Sequence, residues 1–452
     1  MVLDRLGVLL LVAVLAAGCA TSRPAADEAL RQVPPGGQGG AEYRLPRLAA
    51  KAGNSDSLAV ILSFSGGGTR AAAFAHGVLA ELRNTPVIWD GVPTTLLDEV
   101  DVVAGVSGGS IAAAYFAAFG EEMFRTFESA FLKADFQGDL VASASRPANA
   151  YRLSSPWFGR GHLLAERLDE TLFRGITYGD LAARGTRPFL LVSATDLTRG
   201  TAFEFSQEQF DRLCSRLDAM PLALAVAASS AVPVVMSPIT LKNDAGRCAA
   251  PGPKSMSPRL ATTATYDDAK QRPFIHLVDG GLADNLAVRG IVDAIGHAAV
   301  MGGNLERSGL RGIRKLVIVS VSAEQGFSST LDRSDKVPTM AEVVDALSSA
   351  LLTRRSAEVR EMLASGAARW PGQLRAAGRA GSRLLDPSVE LHVIEVDLRD
   401  HPEPALRQEL LSIPTALSLP DVDVDKLIAA GGRLLRESAE FERLRRELSG
   451  RP

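Results

Sequence analysis

From Leu58 onward, short apolar runs alternate with longer stretches of helical period, the pattern of a mostly parallel sheet with covering helices. "LAVILSF" (58–64) predicts a buried strand and "TRAAAFAHGVLAELR" (69–83) a helix. "EVDVVAGV" (99–106) and "GSIAAAYFAAF" (109–119) repeat the pair. Further strands are predicted in "RPFLLVSATD" (187–196), "PFIHLVDG" (273–280), "KLVIVSVS" (315–322) and "VELHVIEVDL" (389–398). A long amphipathic run follows Met340, and "DVDKLIAAGGRLLRESAEFERLRREL" (423–448) reads as helix. Two stretches break the pattern. Residues 121–185, with "SRPANAYRLSSPWFGRGHLL", are expected to cover the sheet or form an entrance. Residues 243–272 are polar and rich in Gly and Pro, and are expected to form a surface excursion between strands. There is no internal repeat, and the pattern is that of one α/β domain over residues 57–452, although 452 residues would by length alone allow more.

The first residues set a different expectation. "MVLDRLGVLLLVAVLAAGC" has a single Arg, an apolar run from Leu6 to Ala17 and small residues before Cys19. That run is short for a bilayer span and fits a signal peptide over residues 1–18. Ala16-Ala17-Gly18-Cys19 resembles the bacterial lipobox, in which the cysteine is lipidated and becomes the new N-terminus. An ordinary signal peptide with an incidental cysteine reads the same way. Ala20 after the cysteine resembles lipoproteins passed on to the outer membrane, so a palmitate-bearing anchor facing the periplasm is expected. Residues 19–56, with "PPGGQGG", lack a sustained apolar period and are expected to be a lipidated N-terminus and flexible tether.

Hydrophobic content of 46% and charged content of 22% are ordinary for a globular chain. A net charge of −3 excludes an electrostatic case for nucleic-acid binding. Export would leave Cys214 and Cys248 in an oxidising compartment, where a disulfide competes with two isolated buried thiols. No His/Cys cluster has metal-ligand spacing, so neither a metal nor a cofactor is expected. No oligomeric state is implied.

Candidate chemistry lies at the strand ends. "GVSGG", Gly105 to Gly109, fits G-x-S-x-G between a strand and a helix, the setting of a nucleophile elbow around Ser107. A structural turn is the alternative. "FSGGGTR" (64–70) lacks the Gly-Lys-Ser/Thr ending of a phosphate loop and the spacing of a dinucleotide fingerprint. Its glycine N–H groups suit the oxyanion formed when a serine attacks an ester, each such donor contributing about 3–4 kcal/mol to the barrier. Arg70 either adds a donor or pins the loop. None of the six histidines (His76, His162, His276, His297, His392, His401) stands in a catalytic motif. Asp279 in "DGGLADN" (279–285), at a strand end before two glycines, is the better base, with an Asx turn as its alternative.

Gly66-Gly67-Gly68-Thr69-Arg70, Gly105-Val106-Ser107-Gly108-Gly109 and Asp279-Gly280-Gly281, in that order, resemble the patatin-like phospholipase family. "AASSAVPVVMSPI" (227–239) resembles the family's segment between nucleophile and aspartate, and "SIPTALSLPDVDVDKLIAAG" (412–431) resembles bacterial members. Ala71 departs from the Gly that many members carry after the loop arginine. The resemblance implies a three-layer patatin-like α/β fold and a Ser-Asp dyad without histidine. It makes Ser107 the nucleophile, Asp279 the base, and Gly66, Gly67 and Gly68 the oxyanion hole with Arg70 nearby. The implied activity is hydrolysis of membrane phospholipid or lysophospholipid esters. A thioesterase or peptidase on the same dyad, or an inactive lipid-binding lipoprotein, are the competing expectations. As a weak base for a hydroxyl, Asp279 is expected to be desolvated and its pKa raised.

Overall fold

The computed structural model describes residues 22–24, 42–51, 53–248, 264–293, 295, 310–325, 331–333 and 335–449. The signal peptide and Cys19 lie outside them, as does His297.

The strands are β1 (Leu58–Phe64), β2 (Pro86–Trp89), β3 (Val92–Thr95), β4 (Val100–Gly105), β5 (Phe189–Asp196), β6 (Thr201–Glu204), β7 (Ile239–Lys242), β8 (Phe274–Val278), β9 (Ile313–Ser322) and β10 (Leu385–Asp397). The central sheet runs β10-β9-β1-β4-β5-β8-β7, with β6 beside β5. From β10 to β5 every pairing is parallel. β8 and β6 pair antiparallel with β5, and β7 antiparallel with β8. β2 and β3 form a separate hairpin that the sequence pattern did not disclose.

Strand parity builds two cores, one on each face of the sheet. Leu58, Val60, Leu62 and Phe64 point into one with Val317, Val319 and Val321; Ala59, Leu316 and Ile318 point into the other. The covering helices used below are α1 (Gly68–Arg83), α2 (Gly108–Phe119), α3 (Arg160–Leu168), α4 (Leu222–Ser229), α5 (Met340–Arg379), α6 (Asp421–Glu437) and α7 (Ala439–Leu448). Phe74 and Val78 of α1 share the first core with Val424 and Leu427 of α6; Val359 and Leu363 of α5 lie in the second. The fold is therefore the expected three-layer α/β arrangement with a mostly parallel sheet.

Several expectations are corrected. Residues 121–185 are not irregular but a run of short helices from Met123 to Arg184, broken by Ser, Pro and Gly positions that erase the periodic signal. The terminal helix is two, α6 and α7, separated at Ser438, whose side chain accepts the Phe441 N–H and so caps α7. The tether does not run to residue 56. Tyr43 is fully buried, stacks on Phe189 at 4.9 Å, and its hydroxyl accepts the Leu190 N–H at 2.6 Å. Ala49 exchanges backbone bonds with Gly185 and Arg187, so the packed chain begins by Glu42. One aromatic anchor in a polar segment leaves no periodic signature. Further upstream, the Ser22 carbonyl accepts the Ser155 hydroxyl at 2.6 Å.

The described ends of the 243–272 excursion are tied down. Cys214 and Cys248 form a disulfide, with Cα atoms 5.6 Å apart. The hydroxyl of Tyr266 and the guanidinium of Arg272 both donate to the buried carboxylate of Asp196.

Candidate active site

Three chain reversals meet at the C-terminal ends of β1, β4 and β8. After β4 the chain turns sharply into α2 through Ser107, which has φ 50° and ψ −125°. That conformation is costly for a non-glycine residue and is kept where the surroundings over-determine it. Ser107 N–H donates to the Ser229 hydroxyl at 2.9 Å, and Ser229 donates to the Ser193 carbonyl of β5 at 2.6 Å. Ser229 was legible only as part of a resembling segment, without a role. Its signal was a serine closing an apolar helix.

The glycines around the elbow are there for close approach. A Cβ on Gly108 would fall 1.9 Å from the Gly68 carbonyl oxygen, and one on Gly109 2.4 Å from that of Ser65. A Cβ on Gly105 would meet the Gly109 carbonyl at 2.6 Å. The N-termini of α1 and α2 are thereby pressed together beside Ser107, and both helix dipoles favour a negative charge there.

The glycine loop differs from expectation in two respects. Gly66 N–H donates to the Asn285 carbonyl at 3.0 Å, so this amide is already engaged. Gly67 (φ 142°) and Gly68 (φ 60°) adopt backbone conformations suited to glycine, and among the described residues their N–H groups have no backbone acceptor. Two amides of the loop rather than three are therefore open to an acceptor among the described residues. Arg70 is not one of them. Its guanidinium is buried and donates from Nε to the Ala323 carbonyl (2.9 Å), from Nη1 to that of Ile413 (2.5 Å) and from Nη2 to the Thr415 hydroxyl (3.1 Å). Burial pulls its pKa down to about 10, which leaves it charged at neutral pH. It braces the loop and adds a positive field behind it. Thr69 N–H completes the brace by donating to the Ala416 carbonyl at 2.8 Å.

Asp279 follows β8 with its backbone held by the Ala231 carbonyl at 2.9 Å. Its Oδ1 accepts the Gly281 N–H at 2.9 Å, an Asx turn, and the Ser107 hydroxyl lies near enough to the carboxylate to lower its pKa. The Asx turn read as the alternative for Asp279 is therefore formed. Burial raises its pKa to about 6, against the lowering effect of the Gly281 N–H and the Ser107 hydroxyl. Gly280 lets the turn approach the sheet, since a Cβ there would meet the Ser193 carbonyl oxygen at 2.2 Å. Asn285 is more than a turn residue, because its backbone carbonyl holds Gly66 and its side chain donates to Ser356 on α5.

The described histidines are engaged elsewhere. His76 packs beside Phe124 and Phe127 in reach of Glu128, His162 Nδ1 accepts the Gly159 N–H, and His276 bonds Thr240. His401 accepts the Glu403 N–H. His392 lies with Glu390 and Glu447 in a cluster of metal-ligating type, but the Lys315 ammonium already sits among the three and bonds both carboxylates. Among the described residues, no histidine hydrogen-bonds Ser107 or Asp279. The arrangement can therefore activate a serine with a carboxylate alone and hold an oxyanion on two backbone amides.

Residues 62–291 match the patatin-like phospholipase family, and the chain belongs to it. Among solved structures, the chain is similar to human GIVD cytosolic phospholipase A2 at 14% identity, covering 87% of this chain and 62% of that one, with a TM-score of 0.44. The same human enzyme in complex with methyl gamma-linolenyl fluorophosphonate gives 14% identity, 96% and 63% coverage and a TM-score of 0.41. VipD from Legionella pneumophila gives 12% identity, 95% and 73% coverage and a TM-score of 0.31. The chain thus spans less than two thirds of the human enzyme's length. No curated protein matches it.

Proposed function

We propose that the protein is a lipid acyl hydrolase that cleaves carboxylic esters of phospholipids or lysophospholipids through Ser107 and Asp279. The observation that carries this is the strained Ser107 elbow beside a carboxylate whose burial raises its pKa and whose pKa the Ser107 hydroxyl lowers. Asp279 accepts the Ser107 proton as Oγ attacks the ester carbonyl, and the N–H groups of Gly67 and Gly68 hold the resulting oxyanion. Collapse expels the alcohol, which takes the proton from Asp279 and leaves an acyl-serine. Water then repeats the sequence with Asp279 again as base, and the fatty acid departs. Family membership supports a lipid ester as substrate.

The same proposal places the enzyme in a bacterial cell envelope, exported by residues 1–18 and held by a lipid on Cys19 at the outer membrane, facing the periplasm. The Cys214–Cys248 disulfide supports an oxidising compartment. Among the described residues no helix is long and apolar enough to cross a membrane.

The test is a fluorophosphonate probe followed by product analysis on mixed bacterial phospholipids. Labelling at Ser107, with release of fatty acid and lysolipid, is the expected result. No labelling, or turnover confined to acyl-thioesters or peptides, would overturn the proposal.

A further inference from the structure

Beyond α4 the chain makes a turn that is unusual on two counts. Val234 has φ 71°, a left-handed conformation that a β-branched residue adopts only under constraint. The turn also thrusts apolar side chains outward, Val234 at 59% and Val235 at 58% exposure. The strain is held from both sides: Met236 N–H donates to the Val232 carbonyl at 2.8 Å, and Arg160 Nη2 of α3 to the Val234 carbonyl at 2.6 Å. A glycine or asparagine would sit there without strain, so the side chain itself is what the position retains.

The turn is next to the dyad. Ser229 holds the Ser107 amide and Ala231 holds the Asp279 amide, so Val234 lies three residues from the catalytic base's backbone support. Three residues before Arg160, Trp157 is also exposed, and it lines a cavity of about 500 Å3 with Ser237 and Phe274. Trp157 carries the Arg23 guanidinium 4.4 Å above its ring. Exposed valines bonded through Arg160 to the segment that carries Trp157 and its Arg23 cation have the chemistry of a lipid–water interface, apolar tips below and cations at the level of anionic headgroups.

Arg23 ties this face to the N-terminus. Ser22 is bonded to Ser155, and Cys19 lies only three residues upstream, a span of at most about 11 Å when extended. We infer that the Val234–Val235 turn with Trp157 is the surface laid on the lipid leaflet, and that the docked Ser22–Arg23 segment sets the anchor beside it. The domain then rests on the bilayer by this surface, rather than swinging on a tether. This inference rests on the lipid hydrolase reading and on lipidation of Cys19.

The experiment uses the full chain reconstituted in vesicles of phosphatidylethanolamine and phosphatidylglycerol, some carrying brominated acyl chains. Trp157 is followed by difference against Trp157→Phe. Quenching of Trp157 is expected, together with its loss in the double variant Val234→Asn/Val235→Ser. Hydrolysis of vesicle phospholipid by that variant should fall about tenfold, as removal of two buried apolar tips implies, while a soluble short-chain ester is turned over within about twofold of wild type. An unquenched Trp157 overturns the inference, as does vesicle turnover that survives the double variant or falls only in step with the soluble ester. If no ester of any kind is cleaved, the hydrolase reading fails, and quenching still decides the surface.

Discussion

Ser229 bridges two strands' ends through one hydroxyl, accepting the Ser107 N–H at 2.9 Å and donating to the Ser193 carbonyl at 2.6 Å. Removing it leaves a buried N–H and a buried carbonyl without their partner, a cost of about 1–3 kcal/mol for each group so stranded. The Ser229→Ala protein should fold, melt several degrees lower, and lose about tenfold to a hundredfold in kcat with KM little changed, because the elbow loses its fixed geometry. Steady-state kinetics on a soluble ester checks this.

Ser107→Ala and Asp279→Asn should each abolish esterase activity, and the double variant should be little worse than either. Groups that act as a unit are not additive. Single His→Gln changes at the described histidines should leave most activity. A histidine variant as inactive as Ser107→Ala would remove Asp279 from its role as sole base.

Asp279 must be ionised to accept a proton, and burial holds its pKa at about 6. The kcat/KM profile should therefore fall as pH drops through about 6. Stability runs the opposite way. The folded pKa is raised above the unfolded value, so the native state binds the proton more tightly, and a cost develops as pH rises from about 4 to about 6 and persists above. Asp279→Asn should thus stabilise the fold at pH 8 by on the order of 2–3 kcal/mol and by much less near pH 4. Urea unfolding of both proteins at the two pH values measures the difference.

Arg70→Met should lower kcat by about a hundredfold or more while soluble-ester KM moves little. The oxyanion that the braced loop stabilises exists only after attack, and loss of one such donor costs about 10²–10³ in kcat. If KM alone moved, Arg70 would be a substrate contact and not a brace.

Val234→Asn should raise the melting temperature, since relief of left-handed strain at a non-glycine residue is worth about 1–2 kcal/mol. A melting temperature below wild type would show that the turn is not strained.

The sheet, its principal helices and the three turns that meet at the candidate site were legible because each is local. Unbroken apolar runs mark strands such as β1 and β9, and glycines beside Ser107 and Asp279 mark backbone that must come close to other backbone. What was hidden depends on distant partners. Gly66 loses its amide to Asn285, and Arg70 is claimed by Ile413 and Thr415, contacts that no window of sequence contains. β7 and β6 are four residues each, too short to show a period, and Tyr43 is a single anchor in a polar segment.

The brace around the glycine loop has an implication for biosynthesis. Arg70 and Thr69 are among the early residues of the domain, yet their acceptors at Ile413, Thr415 and Ala416 lie some 343 residues or more further along the chain. A nascent chain that has already made Ser107 and Asp279 still lacks the wall that holds its glycine loop. The loop therefore takes its final form only after residue 416 has been made, however early its glycines and Ser107 are in place. Premature termination anywhere before residue 416 yields the motifs without their brace.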